Sequence, residues 1–340
     1  MEIIDNYDLT KLNTLGLKSQ TRYYVALTSV DDLSTISAFI KQHNLSFIVL
    51  GQGSNLILPE YYNGIVIHNL LHGISKIQEN DSNIFVKSMA GELWDDLVMH
   101  TVSNNWYGLE NLSLIPGTVG ASPMQNIGAY GVEVKNFIKD VTIYDIKNNI
   151  FKNIPNQDCN FAYRNSIFKT KPDWIIIDVT FELYAQPKLN INYTDLQSLK
   201  DNPHLTAQDV RQHVINVRSN KLPDPKILGN VGSFFHNPII AKNKADELKM
   251  NYPNLPVYPI ANNDSSVKIS AGWLIDNLKL KGYRQNNVGI YEKQALVLVN
   301  FGNSTQDEIL NLAHNIQEKV YNYYGVTLNI EPIVIKGDNK

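Results

Sequence analysis

Between Leu114 and Gly131 the chain places four glycines (Gly117, Gly120, Gly128, Gly131) and two prolines (Pro116, Pro123) within eighteen residues. Little of such a stretch can form regular helix or strand. Its glycines let backbone N–H groups approach a ligand with no Cβ in the way. A second loop of the same character, Gly51-Gln52-Gly53-Ser54-Asn55, follows the apolar run Phe47-Ile48-Val49-Leu50. Successive main-chain N–H groups make anion-binding concavities, so two such loops point to a large phosphate-bearing ligand held mostly by main chain. The first loop does not open a Rossmann fingerprint. The last position of G-x-G-x-x-G is Leu56, and Leu56-Ile57-Leu58-Pro59 reads as strand rather than as a helix opening. Nor does a second strand ending in Asp or Glu follow about twenty residues on. Taken alone, this loop is equally well an ordinary strand-to-strand turn. The second loop, in the same α+β segment, tips the reading towards one nucleotide-binding module.

The elements that must position these loops alternate. Arg22 to Leu27 reads as a strand, and Ser29-Val30-Asp31-Asp32 as a capping box opening a helix that buries Leu33, Ile36 and Ile40. Strands follow at Phe47 to Leu50, Gly64 to Ile67, Ile84 to Val86, Val141 to Tyr144 and Trp174 to Ile177, with a helix from Leu93 to about Ser103. The polar segment Gln186 to Leu205 reads as a loop or hinge. Thr206-Ala207-Gln208-Asp209 opens a helix that ends before Pro223 and Pro225. A last helix, capped by Thr305 with Glu308, shows Ile309, Leu312, Ile316 and Val320 on one face, and Gly325 can close it. A final strand, Thr327 to Ile335, carries Glu331. We divide the chain at 1–64, 65–204 and 205–340.

Composition narrows the class. A chain of 340 residues has room for two or three domains, and 43% hydrophobic residues supply a core and argue against disorder. The net charge of −3 disfavours nucleic acid, whose phosphates need clustered Lys and Arg. A single cysteine, Cys159, allows no internal disulfide and fits a reduced cytosolic setting. No apolar signal core begins the chain, and no apolar run approaches the ~20 residues of a membrane span. No metal site is expected, because the eight histidines show no ligand pair with a partner carboxylate. His68 and His236 read as structural. A cytoplasmic monomer is expected.

The motif order carries a family resemblance. The two loops are followed by Tyr163-Arg164-Asn165-Ser166, Lys221-Leu222-Pro223-Asp224-Pro225, Gly232-Ser233-Phe234-Phe235…Asn237-Pro238 and Ile330-Glu331-Pro332. With Asn13-Thr14-Leu15-Gly16 and Ala271-Gly272-Trp273-Leu274-Ile275, the chain resembles the UDP-N-acetylenolpyruvoylglucosamine reductases of bacterial cell-wall synthesis, the MurB family, over nearly its whole length. Asn192-Tyr193-Thr194-Asp195-Leu196 resembles the substrate-covering tyrosine loop of the longer family type. The resemblance implies an α+β fold: a FAD-binding module of the vanillyl-alcohol-oxidase type and a C-terminal α+β substrate-binding domain. It also implies non-covalent FAD, NADPH as hydride donor, and reduction of the enolpyruvyl ether of UDP-N-acetylglucosamine to UDP-N-acetylmuramate. One departure stands out. The family carries Lys or Arg after the paired phenylalanines, and here the residue is His236.

The resemblance assigns roles that the chemistry can support. Hydride attack on the vinyl group pushes charge onto the carboxylate as an enolate, which needs a cation or hydrogen-bond donors. Arg164 offers a guanidinium fork matched to a carboxylate. The neighbouring carbon needs a positioned acid, and Ser233 is the candidate. Glu331 shares the enolate end. Lys221 and Tyr193 are expected on the diphosphate, with Tyr163, Asn237 and Gln294 as further substrate contacts. Gly51, Gly53, Ser54, Asn55, Pro116, Gly117, Gly120, Asn126, Gly128, Ala129 and Gly131 are expected to bind the flavin nucleotide. Without the resemblance each side chain has a plainer reading: a turn serine at 233, a surface arginine at 164, an edge glutamate at 331. The rivals are an oxidase or dehydrogenase of the same flavin fold acting on an alcohol or lactone, and a non-catalytic sugar-nucleotide-binding protein. Many such oxidases link flavin to a histidine in the first loop region, and Leu50 to Leu58 contains none.

Overall fold

The structure, a computed structural model, describes residues 1–260 and 263–337. It is α+β and divides into two compact units. The first comprises 1–7, 21–52 and 63–220; the second comprises 8–20, 53–62 and 221–340.

The first unit is built on two sheets. One runs in the order Ile3–Asp8, Gln20–Leu27, Tyr61–Asn69, Phe47–Leu50, the last pair being parallel. The helix Leu33–His43 buries Leu33, Ile36 and Ile40, as its spacing requires, in a cluster with Val25, Leu27, Ile65 and Ile67. Ser29 caps a short 3-10 turn, Val30–Asp32, that leads into this helix, so the expected reciprocal box is replaced by a single bond from the Asp31 N–H. The other sheet is five-stranded and antiparallel, in the order Ile150–Pro155, Ile138–Asp145, Trp174–Tyr184, Asn83–Met89, Ile74–Glu79. Its central strand is buried along most of its length, which explains why Trp174 to Ile177 reads as a continuous apolar run rather than an alternating one. The helix Trp94–Ser103 packs Trp94, Leu97 and Val98 into a cluster with Phe181 and Val179, and Trp94 donates its indole N–H to the Leu112 carbonyl.

The segment expected as a loop or hinge is more ordered than its polarity suggested. It holds a 3-10 helix, Thr194–Asp201, whose Leu196 is buried with Val210 and Val214 of the helix Ala207–Lys221. A single buried leucine in eight residues is too sparse a pattern to read as periodicity. The Thr206–Asp209 box does form, with hydroxyl and carboxylate each bonding the other residue's N–H. All but the last residue of this helix belongs to the first unit.

In the second unit the strands Gly229–Ser233, Val297–Asn300, Val288–Ile290 and Arg284–Gln285 form one antiparallel sheet. Ile239–Ala241, Asn263–Ile269 and Val257–Ile260 form another. The helix Gln306–Tyr324 opens on the full Thr305–Glu308 capping box and closes at Gly325, whose φ is 64°. Ile309, Leu312, Ile316 and Val320 are buried as the sequence required. Burial of each such side chain is worth about 1.5–3 kcal/mol. The final strand is much shorter than Thr327 to Ile335. Only Ile330 forms a bridge, to Phe235, and only Ile333–Val334 is strand, running parallel to Leu56–Ile57. Pro332 carries no N–H and breaks the ladder between these two pairings.

Candidate active site

In the first unit a side chain clasps the ends of the two glycine loops. The Gly117 N–H donates to Gln52 Oε1 at 2.7 Å. Gly51 has no space for a side chain, since a Cβ there would lie 2.5 Å from Thr118 Oγ1. Gly117 sits at φ 128° and its carbonyl accepts from the Trp94 N–H. Gly120 is pressed to Ala90, where a Cβ would come within 2.6 Å of the alanine Cβ. Gly117 and Thr118 of the long loop are thereby held against Gln52 and Gly51. Gly53, Ser54 and Asn55 fall in the second unit. There Gly53, at φ 65°, abuts the Leu12 carbonyl, and the Asn55 carbonyl accepts from the Ile333 N–H.

The distal part of the long loop is a hairpin, Gly128–Ala129 against Val132–Glu133. Its two turn residues, Tyr130 and Gly131, have φ 48° and 80°. Both positive values fit a type I′ turn, which normally takes Asn-Gly. A tyrosine in that position is strained, and the structure shows what holds it. Arg218 donates to the Tyr130 hydroxyl, and the Tyr193 ring meets the Tyr130 ring edge-on at 5.5 Å between centroids. A Cβ on Gly131 would lie 3.9 Å from Tyr193 Cβ. Asn111 ties the two segments together by donating to the Tyr130 and Asn190 carbonyls. Burial pushes the Tyr130 hydroxyl up and the Arg218 guanidinium down from their usual ranges. Beneath them Arg211 grips Asp95 with a two-pronged bond, 2.6 and 2.8 Å. Burial opposes the Asp95 charge, but the Arg211 fork, the Leu114 N–H and Arg218 outweigh it and hold that carboxyl low. Tyr130, Arg218, Arg211 and Asp95 were not singled out as site side chains from the sequence. The one signal available was a tyrosine standing where a turn wants Asn.

Asn126 is fully buried at φ 46°, and its amide bonds Glu133, the Ala162 carbonyl and the Lys135 N–H. With the side chain so engaged, only its main chain can face a ligand. Arg164 is another non-glycine residue at positive φ, 52°. It donates to the Gly128 carbonyl at 3.0 Å and stands over the Tyr163 ring at 5.4 Å. Lys169 bonds its carbonyl. The structure thus brings Arg164 and Tyr163 to the hairpin that carries Tyr130, with Tyr193 beside it. Strained non-glycine residues of this kind concentrate at functional sites.

In the second unit the strand Gly229–Ser233 bulges. Asn230 pairs with Val299 and Ser233 with Val297, so Val231 and Gly232 face the single residue Leu298. Gly232 takes φ 71°, and its N–H bonds Asn230 Oδ1. A bulge re-aims the side chain that follows it, and Ser233 is exposed while Phe234 and Phe235 are buried. The Glu331 N–H bonds the Phe234 carbonyl at 2.9 Å, so Glu331 is held one residue from Ser233 in the pairing. Its carboxylate lies 3.4 Å from His236 Nδ1. Asn237 Oδ1 accepts the first N–H of the helix Ala271–Asn277, and Gln294 lies against Gly272. Lys221 is exposed at the end of its helix. Among the described residues no group of three or more His, Cys, Asp or Glu could hold a metal ion, and no helix is long and apolar enough to cross a membrane.

These two units define a flavoprotein oxidoreductase class: residues 21–150 match the model of a FAD binding domain. Residues 224–335 match the UDP-N-acetylenolpyruvoylglucosamine reductase C-terminal domain. The chain belongs to the UDP-N-acetylenolpyruvoylglucosamine reductase family. It is 44% identical to the reductase of Neisseria gonorrhoeae over 331 residues, 96% of this chain and 95% of the relative. It is 43% identical to that of Bdellovibrio bacteriovorus, covering 98% and 99%. The crystal structure of the Thermus caldophilus reductase superposes with a TM-score of 0.67 at 21% identity, covering 98% of each chain, which supports the shared fold.

Proposed function

We propose that this flavoenzyme reduces the enolpyruvyl ether of UDP-N-acetylglucosamine to UDP-N-acetylmuramate with NADPH as donor, in peptidoglycan precursor synthesis. The loop backbones support a main-chain-bound cofactor: a Cβ at Gly51, Gly53 or Gly120 would press on Thr118, on Leu12 or on Ala90, and Gly53 and Gly117 take positive φ, so only glycine gives these loops their course. In this reading the amides of Gly53, Ser54 and Asn55 take the pyrophosphate, and the segment from Pro116 through Gly128 and Ala129 to Gly131 lies along the ring. When bound, FAD supplies hydride transfer between NADPH and the substrate. Arg164 and Glu331 steady the substrate carboxylate as charge develops on it, and Ser233 delivers the proton to the adjacent carbon. Lys221 and Tyr193 hold the diphosphate, with Tyr163, Asn237 and Gln294 as further contacts. We assign the substrate chiefly to 205–340 and the cofactor to 1–64 and 65–204, and place the enzyme in the cytoplasm as a monomer.

The observation that carries the reading is the bulged strand that exposes Ser233 beside a Glu331 anchored through its own main chain. The test is NADPH oxidation that requires the enolpyruvyl sugar nucleotide. Oxidation that is indifferent to it would end the proposal.

Two narrower outcomes follow. Acid precipitation should release all the yellow colour to the supernatant, since no histidine lies within either loop; colour left in the pellet would mean a covalent flavin. Tyr193→Phe loses one hydroxyl contact and should raise KM for the sugar nucleotide about 3- to 10-fold, the worth of a neutral hydrogen bond. Lys221→Ala removes a charge from the diphosphate and should raise it about 10- to 100-fold. Flavin reduction at saturating NADPH should change far less in both. Unchanged KM in both variants would remove these residues from the site.

A further inference from the structure

Asn13 folds the segment 9–17 back on itself. Its buried amide donates to the Leu9 and Leu17 carbonyls at 3.1 and 3.0 Å, and its Oδ1 accepts the Leu17 N–H at 2.9 Å. Leu15 and Leu17 are buried in the same core as Val231, Phe234 and Phe235. The turn so formed carries Thr14 against two other segments of the second unit. The Thr14 N–H donates to the Gly53 carbonyl at 3.2 Å, and the Thr14 carbonyl accepts the Asn230 N–H at 2.9 Å. The Thr14 hydroxyl donates to the Asn230 carbonyl at 2.6 Å. Thr14 therefore satisfies both main-chain groups of Asn230, the last paired residue before the bulge that exposes Ser233. Asn230 is itself buried and engaged on its side chain. Its amide donates to the Pro223 and Leu228 carbonyls at 3.1 and 2.9 Å, and its Oδ1 accepts the Gly232 N–H at 3.0 Å.

We propose that Thr14 is a positioning residue for Ser233: its hydroxyl fixes the peptide at which the bulge starts, and with it the direction of the serine hydroxyl. The Asn230 carbonyl and the Val231 N–H share one planar unit, so a bond to the first sets the plane in which the bulge begins. Gly232, at φ 71°, has no side chain to limit its own course, so the path to Ser233 depends on the bonds that Asn230 makes and receives. Thr14 is suited to the task because main-chain bonds hold it on both sides and its branched side chain is stiff about χ1. The inference rests on the proton-donor role proposed above for Ser233 and deepens it.

The test uses the FAD-loaded enzyme, reduced with NADPH under anaerobic conditions and mixed with the enolpyruvyl sugar nucleotide. Thr14→Val keeps the shape and both main-chain bonds but loses the hydroxyl. Its flavin content and its reduction by NADPH should match wild type. Its re-oxidation should be about 3- to 10-fold slower, the worth of one neutral hydrogen bond. Thr14→Ser should recover the rate. Adding Thr14→Val to Ser233→Ala should slow re-oxidation no further, since a residue that acts through the serine then has nothing to position. A general loss of stability would slow both half-reactions and would add to Ser233→Ala. A second readout is independent of turnover: alkylation of the thiol in Ser233→Cys by iodoacetamide, without substrate, should change rate about 3-fold or more when Thr14→Val is added. Cys159 does not interfere, because it is buried and burial pushes its thiol up to about 12. The inference is overturned if Thr14→Val re-oxidises at the wild-type rate, if its slowing persists in Ser233→Ala, if Thr14→Ser fails to recover the rate, or if alkylation is unchanged. If Ser233→Ala itself re-oxidises normally, the role of Ser233 fails and this inference with it. If Ser233→Ala is slow and Thr14→Val is not, the role of Thr14 alone fails.

Discussion

Ser233→Ala should bleach its flavin with NADPH at nearly the wild-type rate and then re-oxidise poorly with the enolpyruvyl substrate. Removing a positioned general acid costs about 10²- to 10⁴-fold, and nothing in the transfer from NADPH calls for a proton from this hydroxyl. The substitution is small and the residue exposed, after a bulge whose backbone is set by Gly232 and by Asn230 Oδ1, so the strand should keep its shape. Ser233→Cys should be milder than alanine, because a thiol still donates a proton. Arg164→Ala should show the same split with weaker substrate binding added, since in the proposed role its guanidinium is the bidentate partner of the substrate carboxylate. Stopped-flow measurement of each half-reaction separates these outcomes. Normal re-oxidation of Ser233→Ala would reduce the serine to a turn residue and make Glu331 the next candidate donor.

Gly53→Ala should purify without its yellow colour. At φ 65° an alanine is strained by about 1–2 kcal/mol. The larger effect is steric, because the new methyl would run into the Leu12 carbonyl and lie 2.8 Å from Asn13 Cα. Both obstacles are main chain, so no rotamer change relieves them. The Leu12–Thr14 segment is itself tied down, with the Thr14 N–H bonded to the Gly53 carbonyl and the Thr14 hydroxyl to the Asn230 carbonyl at 2.6 Å. The loop must therefore shift, and its amides with it. Gly302→Ala is the control: φ is 111° and no atom lies within 4 Å of the added Cβ, so it suffers strain without a clash. It should lose stability but keep flavin. Flavin content per protein, from the absorbance of the released cofactor, reads the difference. Full occupancy in Gly53→Ala would remove the loop from the binding site.

Much of the loop and helix-cap architecture could be read from residue order, for reasons that are local. Glycine-rich loops are visible because only glycine tolerates the φ values and close approaches that Gly51, Gly53 and Gly117 show. Capping is equally local: Thr305 with Glu308 and Thr206 with Asp209 each join residues three apart and form as read. The amphipathic helix Gln306–Tyr324 follows from spacing alone. Where local signals conflicted, the reading slipped. The segment Thr327 to Ile335 read as one strand, but Pro332 divides it into a bridge and a short parallel pair. The polarity of Gln186 to Leu205 concealed a turn held by one buried leucine and by Asn111.

What the sequence by itself determined is the class of ligand and the helices with their caps, because propensity, periodicity and glycine permissiveness act within a few residues. Only the tertiary structure decided which of those residues meet. The Arg218–Tyr130–Tyr193 cluster joins positions far apart in the chain, and those partners hold the strained turn that presents Tyr130. The pairing of His236 with Glu331 depends on a register, since a slip of one residue in the Phe235–Ile330 bridge would turn one of the two side chains to the other face. Such a register is set by which apolar residues fill the core, and that is a property of the whole packed unit rather than of any segment.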